Sequence, residues 1–176
     1  KFTINSSTGA LDFVLAPDCE TPADADANNV YVVIVRASDG SNTDDQTISV
    51  TILNVNEFSP VISSNGGGTT AAISLSENIG SVTTVVATDA DTTTPSYNLN
   101  GGADAAKFSI NSTTGLLSFI AAPDFEAPSD ADANNTYIVT VRASDGTNNV
   151  EQTITAIILN VNDNSPLISS NGGGAT

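Results

Sequence analysis

The chain has 176 residues, four basic side chains against twenty acidic ones, a formal net charge of -16, no histidine and one cysteine, Cys19. Nucleic acid is excluded as a partner, because so few cations cannot displace counterions from a phosphate backbone, and anionic membrane surfaces are disfavoured for the same reason. One cysteine excludes an internal disulfide framework, and the lack of histidine removes the common nucleophile–base pairings, so no enzyme is expected.

Although acidic, aromatic-poor chains are often disordered, the Val, Ile and Leu residues here fall in alternating runs, which argues for a folded core. No apolar stretch is long enough to span a bilayer and no leader opens the chain, so it reads as a mature, soluble fragment whose export signal or anchor lies outside it.

Lys1-Phe2 recurs as Lys107-Phe108, and the register holds without a gap: residues 1–70 match 107–176 at 47 of 70 positions. This tandem duplication divides the chain into the back half of a repeat at 1–59, a complete repeat at 60–165 and the opening of a third at 166–176. Half a unit cannot enclose its own core, so the chain reads as a window onto a longer array.

In chain order, residues 1–59 carry the last four strands of their repeat, with Tyr31, Val33, Val35 and Ile52 on an apolar face that needs a partner sheet. Strands are then predicted at 71–76, 81–88, 96–100, 107–110 and 116–120. The run 136–143 alternates strictly, placing Tyr137, Val139, Val141 and Ala143 inward. It pairs with 153–161 through the turn residues Asp145-Gly146 and Asn148-Asn149. Seven short strands within one repeat, parted by Gly, Pro, Asn and Asp, predict an all-β antiparallel sandwich without helices.

Several motifs take plain readings. SSNGGG at 63–68 and 169–174 has no following lysine or helix to make a phosphate cradle and reads as a flexible or bulged start to the first strand. Arg36 and Arg142 lie opposite the inward face of their strands, where an exposed arginine or a surface ion pair is expected. The Asp24-Ala25-Asp26-Ala27-Asn28 loop and its copy at 130–134 fail as EF-hands. A loop of about twelve residues from Asp24 or Asp130 would put Asn29 or Asn135 at the glycine position and Val35 or Val141 at the bidentate glutamate, so solvated loops are expected. The sequons at Asn5, Asn111 and Asn134 are expected by chance in so Asn/Ser/Thr-rich a chain.

Much of the acid gathers at strand ends: Glu77-Asn78, Asp89-Ala90-Asp91, Asp124-Phe125-Glu126 and Asp145-Gly146. Carboxylates brought together repel unless a cation intervenes, and calcium suits them, taking about six to eight oxygens at roughly 2.3–2.6 Å in tolerant geometry. The strings NVNEFSP at 54–60 and NVNDNSP at 160–166 add further oxygens in a short extended run, each closed by a proline that holds the preceding serine extended.

NVNDNSP resembles the DxNDNxP linker of cadherin repeats. SEN at 76–78, TDAD at 88–91, DFE at 124–126 and RASDG at 142–146 are similar to that family's other calcium motifs, in the same order. FSINSTTGLLSF at 108–119 resembles its strand–turn–strand core. The resemblance covers essentially the whole chain and is nearest to repeats of large bacterial surface adhesins.

It implies tandem seven-stranded Greek-key, immunoglobulin-like β-sandwich repeats, extracellular or at the cell surface, with calcium at the junctions. At the junction near residue 57 it implies the ligands Asp18, Glu20, Asn56 and Glu57 from the upper repeat and Asp89, Asp91 and Asp145 from the lower. At the second junction it implies Glu77, Asp124, Glu126, Asn162 and Asp163, with Val161 and Asn164 as carbonyl donors. Position 160 is Asn where the family usually has Asp, and Glu57 stands where Asp163 stands in the other linker. Cys19 replaces the aromatic Phe125 as a packing residue.

The function this implies is a calcium-stiffened adhesin stalk or fibre whose partners are calcium and neighbouring repeats or subunits. Two alternatives accompany it. One is a module recognising a glycan or protein, including homophilic contacts; the other is a subunit whose half repeat is completed by another chain, building a strand-sharing filament.

Overall fold

β-Branched residues fit a pleated, half-buried surface, and in this chain nearly every apolar run becomes a strand. A computed structural model describes residues 1–167, so the predicted opening of a third repeat falls mostly outside the described residues. The strands gather in two compact units, one over Lys1–Phe58 and one beginning at Ser59.

The first unit consists of two antiparallel hairpins. β1 (Phe2–Ile4) pairs with β2 (Leu11–Phe13), and β3 (Val30–Ser38) pairs with β4 (Thr43–Thr51). Phe2 and Phe13 lie 4.5 Å apart by ring centroid, and Phe13 meets Tyr31 edge-on at 5.1 Å. The Tyr31 hydroxyl accepts the Ala23 N–H at 2.9 Å, which ties the loop to the hairpin. Tyr31 is buried, while Val33 and Val35 on the same face are only half-buried.

The second unit is a sandwich. A four-stranded sheet runs in the order β6 (Thr70–Ser76), β13 (Asn149–Leu159), β12 (Thr136–Ser144), β9 (Ser96–Gly101). A three-stranded sheet runs β10 (Phe108–Ile110), β11 (Leu116–Phe119), β7 (Ser81–Thr84). A short ribbon pairs β5 (Val61–Ile62) with β8 (Ala87–Thr88). Among the described residues the only helix is a 3-10 turn, Ala105–Lys107.

The core forms where alternating side chains of the sheets meet. Tyr137, Val139, Val141 and Ala143 point inward as predicted, and Ile154, Ala156 and Ile158 join them from β13. Tyr97 adds to this face from β9, and Val85, Ala87, Phe108, Leu117 and Phe119 close over it. Each large apolar side chain so buried contributes about 1.5–3 kcal/mol.

Three features depart from the prediction. The antiparallel sandwich contains a parallel pair, β6 with β13, with Ser76 beside Leu159. The chain passes from the β5 ribbon to the four-stranded sheet through the turn at 63–69, and so runs beside the last strand in the same direction. The predicted strand at 81–88 breaks in two, because Val85 donates its N–H to Gly115 O and Val86 donates to Ser64 Oγ, leaving β7 and β8 in different layers. Finally, the SSNGGG segment is held in place as a turn. The fully buried Gln152 donates to Gly68 O at 2.8 Å and accepts from Asn65 Nδ2 at 3.2 Å, and Asn65 also accepts from Thr83.

The two arginines make the predicted cross-strand ion pairs, Arg36 with Asp45 at 2.6 Å and Arg142 with Glu151 at 2.7 Å.

Candidate metal centre

Parallel register brings the ends of β6 and β13 out side by side, and the acids of the second unit's first pole follow from it. Glu77 and Asn160 leave the sheet together, with Glu77 N–H donating to Leu159 O at 3.0 Å. Asn78 takes a left-handed conformation, φ 65°, and its N–H reaches Pro123 O at 2.8 Å, drawing in the loop that carries Asp124 and Glu126. That loop is turned by Asp124, whose Oδ1 accepts the N–H groups of Glu126 and Ala127.

As a result one carboxylate oxygen each from Glu77, Asp124 and Glu126 lie within 4.8 Å of one another. Glu77 is 2% exposed, whereas the other two are open to solvent. The N–H groups of Phe125 and Val161, each at 2.7 Å, hold the Glu77 carboxyl below its usual pKa range against the burial that would raise it. Glu77 is therefore a buried anion satisfied by backbone donors, beside two exposed acids.

The tail after β13 closes over this group. Asn160 Nδ2 donates to Glu126 Oε1 at 2.7 Å, and Asn78 Nδ2 donates to Asp163 Oδ2 at 2.8 Å. Asp163 also accepts from Asn164 Nδ2, while Asn162 is exposed. The asparagines at 78 and 160 thus act as donors, a role that residue type alone does not reveal because an amide offers either hydrogen or oxygen.

Asp89, Asp91 and Asp145 occupy the opposite pole, where β8 ends and β9 begins opposite the end of β12. Asp91 is 3% exposed and donates its N–H to Asp89 Oδ1 at 2.8 Å. Asp89 Oδ2 is buried without a hydrogen-bond partner. Asp145 closes its hairpin by accepting from Thr147 and Asn148 N–H. These three do not form a cluster as tight as the first pole's among the described residues.

In the first unit, Asp18 turns its loop as Asp124 does, accepting from Glu20 and Thr21 N–H at 2.9 and 3.1 Å, and Glu20 is half-buried. Hydrogen bonding by Thr21, and then by Glu20, holds the Asp18 carboxyl below its usual range. Asn56 is half-buried and Glu57 exposed. Cys19 Sγ accepts from Asn29 Nδ2 at 3.3 Å, a polar contact beyond the packing role predicted for it.

In the loop predicted to be solvated, residues 131–134 are exposed as expected, and its first residue is the exception. Asp130 is 8% exposed and accepts the Asn134 N–H at 2.7 Å, while the buried Asp104 accepts from Ala131 and Ile138 N–H. These acids replace missing backbone partners and tie the loop to β12.

Residues 71–162, more than half of the chain, match the cadherin domain. Among solved structures the chain is similar to mouse cadherin-23 EC22-24, with a TM-score of 0.64 and 21% identity over 92% of this chain and 50% of that one. It is also similar to the protocadherin gammaB4 extracellular domain, with a TM-score of 0.67 and 22% identity over 93% and 25% of the two chains. The cis-dimer structure of protocadherin gammaB7 EC3-6 gives a TM-score of 0.67 and 22% identity over 96% and 41%. The chain thus spans half or less of the length of these structures, and at such identities the likeness concerns the fold. No curated protein matches the sequence.

Proposed function

Because the chain belongs to the cadherin domain family, we propose that it is part of an extracellular, non-enzymatic adhesion array whose repeats bind calcium at their poles. The observation that carries this reading is the carboxylate group of Glu77, Asp124 and Glu126 within 4.8 Å, centred on a buried anion. The donor set consists of hard oxygens only, as calcium prefers. The buried, unpartnered Asp89 Oδ2 at the other pole supports the same chemistry, since a buried carboxylate oxygen without a donor is costly unless a cation meets it.

In this reading Glu77, Asp124, Glu126, Asn162 and Asp163, with carbonyls of Val161 and Asn164, hold calcium at the first pole. Asp89, Asp91 and Asp145 serve the second, and Asp18, Glu20, Asn56 and Glu57 serve the preceding repeat. Bound calcium restrains the loops that carry these acids, so an array of such repeats stiffens into a stalk and slackens on chelation. The comparison with bacterial surface adhesins rests on the sequence motifs alone. Extracellular calcium modules bind with Kd of about 10⁻⁴ to 10⁻³ M, so millimolar calcium fills them. Melting and small-angle scattering of the chain with calcium and with EGTA are expected to differ; identical curves in both would overturn the reading.

A second reading has one observation of its own. In the first unit the face carrying Val33 and Val35 borders a concavity of 710 Å³ lined by Phe2, Tyr31 and Val33. A strand-bearing segment would fill it, from a preceding part of the same array or from another chain as strand sharing in a filament requires; an oligomer in native mass spectrometry would select the second and a monomer the first. For glycan recognition the only exposed large aromatic among the described residues is Phe58.

A further inference from the structure

The first pole of the second unit carries four carboxylates, Glu77, Asp124, Glu126 and Asp163, and among the described residues no ion pair reaches any of them. Such a group stays together only if cations or neutral donors satisfy it. The structure places a neutral hydrogen bond at each of three points along the tail after β13, two donated by the tail and one accepted by it. Asn160 Nδ2 bonds Glu126 at 2.7 Å, Val161 N–H bonds Glu77 at 2.7 Å, and Asp163 takes the Asn78 amide at 2.8 Å. Each bond joins the tail to a different segment from its own, either the end of β6 or the loop before β12.

We propose that these three hydrogen bonds form a clasp that fastens the tail 160–163 to the pole without any cation, and that the neutral amide of Asn160 lowers the pole's affinity for calcium in exchange. The second half of this inference rests on the calcium reading of the same pole.

The reason lies in charge and in geometry. With its N–H₂ turned to Glu126, the Asn160 amide adds a hydrogen bond and no charge. A carboxylate at that place would repel Glu126 when no cation is present and attract one when it is. A cation drawing on Asn160 must first rotate the amide and lose the bond to Glu126. Asparagine at this position therefore exchanges cation affinity for order in the cation-free state.

The test uses the full chain as wild type, Asn160→Asp and Asn160→Ala, with hydrogen exchange at the Val161 amide in EGTA and in calcium, and calorimetric titration with calcium chloride. In EGTA the wild-type Val161 amide is expected to exchange about tenfold or more slower than an open amide. Asn160→Asp is expected to lose that protection in EGTA, to regain it in calcium, and to bind calcium on the order of tenfold more tightly. Asn160→Ala, which removes the bond without adding charge, is expected to lose part of the protection with no gain in affinity. An unprotected wild-type Val161 amide in EGTA overturns the clasp. Unchanged affinity in Asn160→Asp, where the wild type does bind calcium, overturns the role given to Asn160. If neither protein binds calcium while the wild-type amide stays protected, the calcium reading fails and the clasp stands.

Discussion

At Gly115 the backbone has φ +70°, and an added Cβ would collide with the carbonyl oxygen of Val85, whose N–H donates to Gly115 O at 2.9 Å, so the two segments cannot separate without losing that bond. Gly115→Ala is therefore expected to cost about 3 kcal/mol or more in urea unfolding, far above the usual penalty of a surface change. Asp130 gives a second prediction at this scale. Burial pushes its carboxyl up, but the N–H of Asn134 foremost, with a hydrogen bond shared with the Asp132 carboxyl and the N–H of Asn135, outweighs burial and holds it below the ordinary aspartate value. A folded-state value below the unfolded one means that its stabilisation is present above the unfolded pKa and is lost as pH falls through the folded one. Asp130→Asn is thus expected to lose about 1–2 kcal/mol at pH 7, from the weakened hydrogen bonds to a charged acceptor. Its melting temperature should converge on the wild type's in acid, and parallel curves from pH 7 downward would contradict the assignment.

Strands β3 and β12 are copies with nearly the same sequence, yet their environments differ. Val141 is fully buried in the core of the sandwich, whereas its counterpart Val35 is only half-buried. The same substitution should therefore have two costs: about 2 kcal/mol for Val141→Ala and well under half of that for Val35→Ala, measured by denaturant unfolding of the full chain. The same contrast explains Gln152 and its copy Gln46. Alternation along β13 turns residue 152 inward with 154, 156 and 158, and the carbonyls of the 63–69 turn supply the partners that a buried amide needs. Gln46 is exposed. One sequence pattern thus yields a core element or a half-open one, depending on what lies across from it.

For the whole molecule, the calcium reading sets a scale of linkage. A ligand that binds only the folded state stabilises it by RT ln(1 + [L]/Kd), about 2.7 kcal/mol at a concentration one hundred times Kd. With Kd of about 10⁻⁴ M, calcium at roughly 10 mM should raise the free energy of unfolding by that amount. Magnesium at the same concentration should give much less, because it holds its water and demands a tighter octahedron. The all-β fold was legible without coordinates, because side-chain alternation follows from strand geometry and is written one residue at a time. The types of side chain at each pole were legible for the same reason, since Glu77, Asp124 and Glu126 stand in short motifs beside strand ends. The parallel pairing of β6 with β13, the break between β7 and β8 and the burial of Asp104, Asp130 and Gln152 were not. Sequence by itself determined which residues alternate and repeat, because those are local properties of the chain. Only the tertiary structure decided which carboxylates meet, and whether the amides of Asn78 and Asn160 donate or accept, because both depend on segments far apart in sequence meeting at one end of the sandwich.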